Sequence, residues 1–326
     1  MKVYIIHENP DWLDPLRREL ERSGLPYEEW FIHRGHFDLS EEPPEGVFFN
    51  RMSASSHTRG HLESVDFTRE LLAWLEGHGR RVLNGSNALA LEISKLRQYE
   101  ALRRAGLRTP HTIAVVGRTE ELKAAGRKIP LPFITKHNRS GKGLGVQLFR
   151  SLKAFDDYVG SPEFVPPADH ITLLQEYIES PEPFITRVEI VDGEFLYAIK
   201  SDTSQGFQLC PAERCETGDA SCPATDITTK NGSSDRQSLF SLRESFDDPI
   251  IDQYVAFMRQ NKIDIAGIEF IEDHHRNKIT YDINGTTNYS PAVEERHGLN
   301  ATAAVVQLLA KELKAAKRNN ARVRTR

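Results

Sequence analysis

The sequence predicts an α/β lobe at the N-terminus followed by α+β lobes. Strand and helix patterns alternate over residues 1–90, which is typical of a small parallel sheet with helices on its faces. Beyond residue 130, apolar segments instead come in pairs joined by short polar turns, which is typical of antiparallel hairpins. The 326 residues are enough for two or three lobes around a shared core.

The first lobe is expected to contain short buried strands and two amphipathic helices. Gly24 ends the first helix, because a residue without Cβ readily adopts the left-handed conformation that closes a helix. The predicted strands are 2–6, 28–32, 46–50 and 80–83, and the predicted helices are 11–23 and 63–77.

The remaining segments predict one long helix, three hairpins and a C-terminal helix. Residues 87–105 carry an apolar stripe at helical spacing and predict a single helix that ends at Gly106. Residues 201–248 are rich in Ser, Asp, Thr and Gly and predict a loop. The other predicted elements are an extended segment 111–116, helices 119–125 and 301–316, and the hairpins 133–136 with 145–149, 184–191 with 194–200, and 266–271 with 278–283.

The amino-acid composition limits which kinds of binding partner are expected. Hydrophobic residues make up 39% and charged residues 27% of the chain, a balance that is ordinary for a soluble protein. The net charge of -5 gives no general attraction to nucleic acid or to an anionic membrane, so neither is expected as a partner. We find no secretory signal pattern and no apolar run that could span a bilayer. With three cysteines, too few for a disulfide framework, we expect a reducing, cytoplasmic location.

A glycine-rich segment follows the strand that ends on Lys136. Glycines at alternate positions let backbone N–H groups approach an anion closely, and Lys136, Arg139 and Lys142 add positive charge. A phosphate chain is the obvious target, although no Walker A pattern is present. A flexible hairpin turn with solvated basic residues explains the segment equally well. The candidate anion-binding residues are Lys136, Ser140, Gly141, Gly143 and Gly145.

An apolar strand also runs into a polar hinge after residue 174. Backbone groups near Gln175, Glu176 and Ile178 could pair with the edge of a purine, and Glu182 could bind a ribose hydroxyl pair. By itself the pattern is weak, and an ordinary strand end explains it better.

The hairpin over 184–200 turns at 192–193, where Asp-Gly is typical of a two-residue type I′ turn. The register that follows places Ile185 opposite Lys200. Arg187, Glu189 and Lys200 should then project from one face, where two cations suit an anion. A solvated face with an Arg187–Glu189 ion pair is the alternative.

Two carboxylates and an amide predict a metal site on the last hairpin. Asp282 and Asn284 are two residues apart and share a strand face, and Glu269 can lie opposite them on the neighbouring strand. With no Lys or Arg expected to neutralise them, these oxygens suit Mg²⁺. Surface acids on an edge hairpin are the alternative explanation.

Taken in this order, the motifs resemble the ATP-grasp superfamily, and in particular its RimK-like carboxylate–amine ligases. The resemblance covers residues 85–300, and the first lobe is compatible with the α/β domain that precedes the family's fold. It implies two lobes that clasp ATP, with domain limits at 1–90, 91–174 and 175–326. It also implies ATP and two Mg²⁺ ions as cofactors, with Mn²⁺ able to substitute.

The resemblance further implies a role for each motif residue. The sequence departs from the family at Ile185, where RimK-like ligases usually carry an acid. The implied roles are phosphate contacts at Lys95 and Lys136, adenine contacts at Gln175, Glu176 and Ile178, a ribose contact at Glu182, contacts to the terminal phosphates or acyl-phosphate at Arg187 and Lys200, and metal coordination at Glu269, Asp282 and Asn284, with Asp282 bridging two ions.

The implied activity is Mg-ATP-dependent joining of a carboxylate to an amine through an acyl-phosphate. A phosphotransferase and a non-catalytic nucleotide-binding module stay open as alternatives. The partners would be a small-molecule acid and amine or a peptide, and the chain could form a homo-oligomer, as many relatives do.

The acid substrate needs a cationic clamp of its own. Candidates follow the predicted strand end at residue 50, because ligands of open α/β sheets gather there, although a solvated loop fits as well. The clamp candidates are Arg51, His57 and Arg59 after this strand end, with Arg214 and Arg296 further along the chain.

Cys210, Cys215 and Cys222 lack regular metal spacing, so free thiols are expected, with a zinc site or a redox-sensitive pair as the alternative.

Overall fold

The computed structural model describes residues 1–141, 143, 145–204 and 239–324. The predictions for Lys142, Arg214 and the three cysteines lie outside these residues. No helix in the described ranges combines the length and apolar character needed to cross a bilayer.

The first lobe is the predicted parallel sheet. Its strand order is β2-β1-β3-β4, and all three strand pairs are parallel. Helix α2 covers one face of this sheet through apolar side chains such as Leu72, which is fully buried against Phe48 and its neighbours. The elements are β1 (Lys2–His7), α1 (Asp14–Ser23), β2 (Tyr27–Phe31), β3 (Gly46–Asn50), α2 (Ser64–Gly77) and β4 (Arg81–Leu83).

The single helix predicted over 87–105 is wrong, because the chain breaks at Ser94. Two helices are present, α3 (Ser86–Glu92) and α4 (Lys95–Arg104). Ser94 has extended backbone angles, φ -147 and ψ 107, and its side chain accepts a hydrogen bond from the backbone N–H of Arg97. The backbone N–H of Lys95 donates to the carbonyl of Asn138 at 3.1 Å, so the second helix starts against the glycine-rich segment.

The middle lobe is an antiparallel sheet of order β5-β8-β6-β7, and its β6–β7 pairing confirms the predicted first hairpin. Two helices cover one face, and Phe133, Phe155 and Leu174 form the centre of the core between sheet and helices. The elements are β5 (Thr112–Val116), α5 (Thr119–Gly126), β6 (Phe133–His137), β7 (Gln147–Phe149), α6 (Leu152–Val159) and β8 (Ile171–Glu176).

The third sheet has the order β11-β10-β9-β12-β13 and contains the two other predicted hairpins. Helix α7 packs its buried Tyr254 and Phe257 against one face of this sheet. Strand β11 lies within the span predicted as loop, so that prediction is wrong there. The elements are β9 (Phe184–Val191), β10 (Glu194–Asp202), β11 (Phe240–Leu242), α7 (Ile250–Gln260), β12 (Ile265–Glu272), β13 (Lys278–Asn284) and α8 (Pro291–His297).

A β-bulge corrects the register predicted for the β9–β10 hairpin. The pairing starts as expected at the turn, but it shifts between Phe195 and Tyr197, so that Lys200 lies opposite Thr186. Arg187 instead lies opposite Ile199. Because neighbouring residues of a strand point to opposite faces, Lys200 does not share a face with Arg187.

The chain returns to the first lobe through its last helix, α9 (Ala301–Arg324), which is longer than predicted. Its buried Leu309 packs in one cluster with Val3 and Phe49 of the first sheet and with Val191 of the third. The face of the first sheet opposite α2 is therefore covered by α9 together with α1, whose Leu16 and Leu20 belong to the same cluster.

Candidate active site

A cavity of about 590 Å³ lies between the middle and third sheets, and loops of the first lobe close one end. Its walls contain all three predicted metal ligands. Glu269 of β12 lies opposite Asp282 of β13, and Asn284 lies two residues further along the same strand. Tyr281 is an extra residue at a β-bulge in this pair, which turns both Tyr281 and Asp282 toward the cavity.

The two acids are not free of cations, contrary to the expectation from sequence. The ammonium group of Lys95 pairs with Asp282, and Lys95 itself is 5% exposed. Glu269 accepts a hydrogen bond from the hydroxyl of Tyr281 at 2.9 Å, and Nη1 of Arg187 lies 3.7 Å from its Oε1. The break before α4 brings Lys95 to this place, because it makes Lys95 the first residue of the new helix.

The pKa values of the two acids are shifted in opposite directions. Burial opposes ionisation of Asp282, but Lys95 and Lys136 outweigh it and lower the pKa of this carboxyl. For Glu269, burial and then the nearby Asp282 raise the pKa, and the cations do not compensate. One carboxylate is thus held ionised and its neighbour lacks sufficient positive charge, which suits a divalent cation shared between them.

The described residues contain no group of three or more His, Cys, Asp and Glu side chains that could hold a metal by themselves. The wall offers two carboxylates, and the amide oxygen of Asn284 already accepts from the backbone N–H of Thr286 at 3.0 Å. A magnesium ion here would need further oxygen ligands from a bound substrate, as is usual for this metal with phosphates.

Lys136 supplies a second buried cation. Its ammonium group lies 3.3 Å from the hydroxyl of Tyr99 and 3.4 Å from the carbonyl of Tyr281, and it lies over both aromatic rings. Burial lowers the pKa of Lys136 while Asp282 and Glu269 oppose that shift. No described carboxylate is within ion-pair distance of its ammonium group, so the position favours an anionic ligand.

Arg187 completes the positive side of the cavity. It is 3% exposed, and its Nε lies 2.7 Å from Oε1 of Glu189, an ion contact without the alignment of a good hydrogen bond. Its Nη2 donates to the hydroxyl of Thr287. Gly267 makes room for this side chain, since a Cβ there would lie 2.5 Å from Nε of Arg187. Lys200 lies on the other face of the sheet, with its ammonium group 4.3 Å from the ring centroid of Phe184.

The predicted hinge residues line the same cavity, and Tyr99 contacts both Lys136 and Gln175. Oε1 of Gln175 accepts a hydrogen bond from Tyr99 at 2.7 Å, and Oε1 of Glu176 accepts one from the backbone N–H of His111 at 2.6 Å. Ile178 and Glu182 line the cavity beyond the strand end. The structure thus gathers all four predicted hinge residues around one space.

The glycine-rich segment divides into two parts. Ser140, Gly141 and Gly143 line the cavity, but Gly145 does not. At Gly145 the backbone has φ +72, and a Cβ would lie 2.2 Å from the imidazole of His137. Gly145 thus lies outside the cavity lining, where its missing side chain accommodates His137, and its contact with a ligand stays a prediction.

Comparison with known proteins places this arrangement in a fold. No protein-family model matches the chain. A RimK domain ATP-grasp protein from Sphaerobacter thermophilus superposes with a TM-score of 0.64 at 13% identity, covering 94% of this chain and 98% of that one. The ATP-grasp ligase PsnB complexed with minimal precursor gives 0.63 at 14% identity, covering 95% and 99%. The chain has the ATP-grasp fold.

Two D-alanine–D-alanine ligases also resemble the chain. The structure of the Bacillus anthracis enzyme complexed with ATP superposes with a TM-score of 0.63 at 13% identity, covering 98% of this chain and 99% of that one. The curated enzyme of Cereibacter sphaeroides is 27% identical over 184 residues, which is 54% of each chain. The match therefore spans about half the length of that curated relative.

The predicted cationic clamp is not assembled in this ATP-grasp structure. Arg51 donates to the carbonyl of Thr287 at 3.1 Å and to Asn288, and it does not line the cavity. Arg59 is neutralised by the buried Glu8, with Nη2 and Oε1 2.6 Å apart. His57 and Arg296 also lie outside the cavity lining; the pKa of His57 is lowered by burial and by Arg139, and Arg296 is exposed on α8.

Several residues of the ATP-grasp cavity carried a weaker sequence signal. Glu92, in the last turn of α3, accepts from the backbone N–H of Gly285 at 2.6 Å, and burial raises its pKa. A single acid beside an apolar stripe is ordinary on one long helix, so the predicted helix over 87–105 gave no reason to select Glu92. Residues that follow β1 and β3 also belong to the cavity, at strand ends where ligands gather. The additional lining residues include Trp12, Ser53, Ser55, Glu92, Tyr281 and Asn288.

Proposed function

We propose that this chain is a Mg-ATP-dependent ligase that joins a carboxylate to an amine through an acyl-phosphate. One observation carries the proposal: within a cavity of an ATP-grasp fold, Lys95, Lys136 and Arg187 converge on the wall that holds Glu269 and Asp282. Three cations facing two acids and an amide suit a polyphosphate and a divalent cation bound together.

In this proposal the hinge residues bind the base and ribose of the nucleotide, and the cations bind its phosphates. The adenine would lie against residues 175–178 and the ribose near Glu182, while the phosphates would extend toward Lys136 and Lys95. Glu269, Asp282 and Asn284 would hold Mg²⁺, which when bound supplies positive charge to the phosphate oxygens. Two ions, and Mn²⁺ as a substitute, belong to this proposal.

The chemistry has two balanced steps. A carboxylate oxygen of the acid forms a bond to the γ-phosphorus of ATP while the bond to the bridging oxygen breaks, which yields acyl-phosphate and ADP. The amine then attacks the acyl carbon, phosphate leaves, and the nitrogen loses a proton. Arg187 and Lys136 hold the transferring group in place and stabilise its charge. Ser140 and Gly141 exclude water that would hydrolyse the acyl-phosphate.

The relatives support the class of acid and amine without fixing either. The D-alanine–D-alanine ligases are named for joining two amino acids, and PsnB is complexed with a precursor. We therefore propose an amino acid, a small peptide or a peptide precursor as the substrate. The limits 1–90, 91–174 and 175–326, the cytoplasmic location and a homo-oligomeric state remain part of the proposal.

The decisive experiment traps the acyl-phosphate with hydroxylamine. The full chain is incubated with Mg-ATP, hydroxylamine and a panel of amino acids, N-acetyl amino acids and dicarboxylates, and hydroxamate and ADP are measured. We expect ADP and hydroxamate in equal amounts with at least one acid, and none with Asp282→Asn. Asp252→Asn, an exposed acid on α7, serves as the matched control.

Two results would contradict the proposal. Phosphate transferred stably to an acceptor hydroxyl would identify a phosphotransferase. Nucleotide binding with no turnover for any acid in the panel would indicate a binding module.

A further inference from the structure

The loop over residues 285–290, directly after β13, forms one wall of the cavity and is held in place from several sides. The backbone N–H of Gly285 donates to Glu92 at 2.6 Å, and its carbonyl accepts from the side chain of Asn84 at 2.8 Å. Asn288, further along the loop, lines the cavity. The start of this loop is therefore anchored by hydrogen bonds that need no substrate.

Arg51 fixes the side chain of Asn288 as well. Its Nη1 donates to the carbonyl of Thr287 at 3.1 Å, and its Nη2 lies 2.9 Å from Oδ1 of Asn288. A guanidinium group can only donate hydrogen bonds, so the amide atom that faces Arg51 must be the oxygen. The amide nitrogen, Nδ2, is consequently held on the side away from Arg51.

Nδ2 of Asn288 has two hydrogens to donate and no acceptor among the residues that the structure describes. We propose that Asn288 determines binding of the acid substrate by donating from Nδ2 to its carboxylate, and that Arg51 is the positioning residue for Asn288. The proposal rests on the ligase function above and assigns a new task to Arg51. The sequence had suggested that Arg51 binds the substrate itself.

The position of Asn288 along the chain favours the acid over the nucleotide. Its neighbour Thr287 accepts a hydrogen bond from Arg187, the cation proposed to hold the transferring phosphoryl group. The same cavity is lined by Ser53 and Ser55, which follow the strand end beside Arg51. An oxygen bound to Asn288 would therefore lie on the first-lobe side of the cavity, beside the loop residue that Arg187 contacts.

A neutral donor suits this task chemically. A carboxylate has two oxygens, and a hydrogen bond from an amide orients one of them while the other stays free to attack. Binding by a cation at this point would withdraw more charge from the nucleophile. Asn288 thus orients the acid at a small cost in its reactivity.

The test uses the full chain and the most active acid of the hydroxamate panel. For each variant we measure the KM for that acid, and separately the Kd for Mg-ADP. Asn288→Ala should raise the KM about tenfold, as expected for one lost hydrogen bond to a charged group, with the Kd for Mg-ADP unchanged. Asn288→Asp should raise it further, because a carboxylate repels the substrate.

Arg51→Met should also raise the KM for the acid, because the amide is then free to rotate. The double variant Arg51→Met/Asn288→Ala should be no worse than Asn288→Ala alone, since both changes act through the same amide. Arg318→Met and Asn319→Ala, two exposed positions on α9, are the matched controls. Should Arg51→Met lose Mg-ADP binding, Arg51→Lys replaces it, because lysine keeps a donor and a charge.

An unchanged KM in Asn288→Ala would overturn the inference, and so would additive effects of the two single changes. Both results would leave the ligase function intact, since they require an active wild-type protein. A wild-type protein that binds Mg-ADP but forms no hydroxamate from any acid would instead overturn the proposed function together with this inference.

Discussion

Replacing Gly267 by alanine tests how tightly the cavity is built around Arg187. A Cβ at this position would lie 2.5 Å from Nε of Arg187 and 2.9 Å from Oε2 of Glu189, well inside contact distance. Both side chains are buried, at 3% and 1% exposed, so neither can move into solvent. Overpacking of this kind costs about 1–3 kcal/mol, and we expect about 2–3 kcal/mol because a buried ion pair must shift.

The assay is urea unfolding followed by hydroxamate formation. Gly267→Ala should lower the free energy of unfolding by that amount and reduce turnover, because Arg187 moves away from the ligand. Gly77→Ala is the control, since a Cβ there meets no atom within 4 Å and alanine favours the helix, so stability should hold or rise. A Gly267→Ala protein with wild-type stability and turnover would show that Arg187 does not need this space.

Three further changes probe other parts of the structure. Lys200→Met should keep Mg-ATP turnover, measured by hydroxamate formation, whereas Arg187→Met should abolish it, because of these two residues Arg187 faces the cavity. Equal losses in the two variants would contradict the bulged register. Asn84→Ala should lower the free energy of unfolding by roughly 3 kcal/mol, because it removes four hydrogen bonds between the Asn84 side chain and buried or half-buried backbone groups. A loss below about 1 kcal/mol in urea unfolding would refute this. Burial lowers the pKa of His7, so below about pH 6.5 the unfolded chain binds a proton that the folded chain does not, and stability falls as pH falls. His7→Phe should therefore flatten the decline of melting temperature between pH 7 and 5, and an unchanged slope would exclude His7 as its source.

Much of the site could be predicted because its signals are local. Glu269, Asp282 and Asn284 were expected on one face since strand residues alternate, and the pairing of β12 with β13 brings them together. The glycine-rich segment and the hinge at Gln175 were expected near phosphates and base, and both line the same cavity. Their roles in binding stay predictions, whereas the ATP-grasp fold is confirmed.

The errors arise where distant residues decide the outcome. Arg59 looked like a free cation, but it is paired with Glu8, 51 residues earlier in the chain. The contact from Arg51 to Asn288 joins residues 237 positions apart, and no local sequence pattern indicates it. The bulge at Phe195 likewise has no turn residue to mark it, and one extra residue is enough to carry Lys200 to the other face.

The break at Ser94 differs from these cases, because a local signal was present. Serine is a preferred residue at helix starts, but the apolar stripe on both sides favoured one continuous helix. The consequence reaches the site, since the break makes Lys95 the first residue of α4.

The packing of α9 on the first sheet has a consequence for how the protein is made. The ribosome completes residues 2–83 long before residues 301–324 emerge, so for most of synthesis the sheet face with Val3 and Phe49 has α1 as cover but lacks α9. The nascent first lobe therefore exposes apolar surface to which chaperones can bind. Expression of residues 1–90 alone should give insoluble material, and adding the helix as a separate peptide should restore solubility.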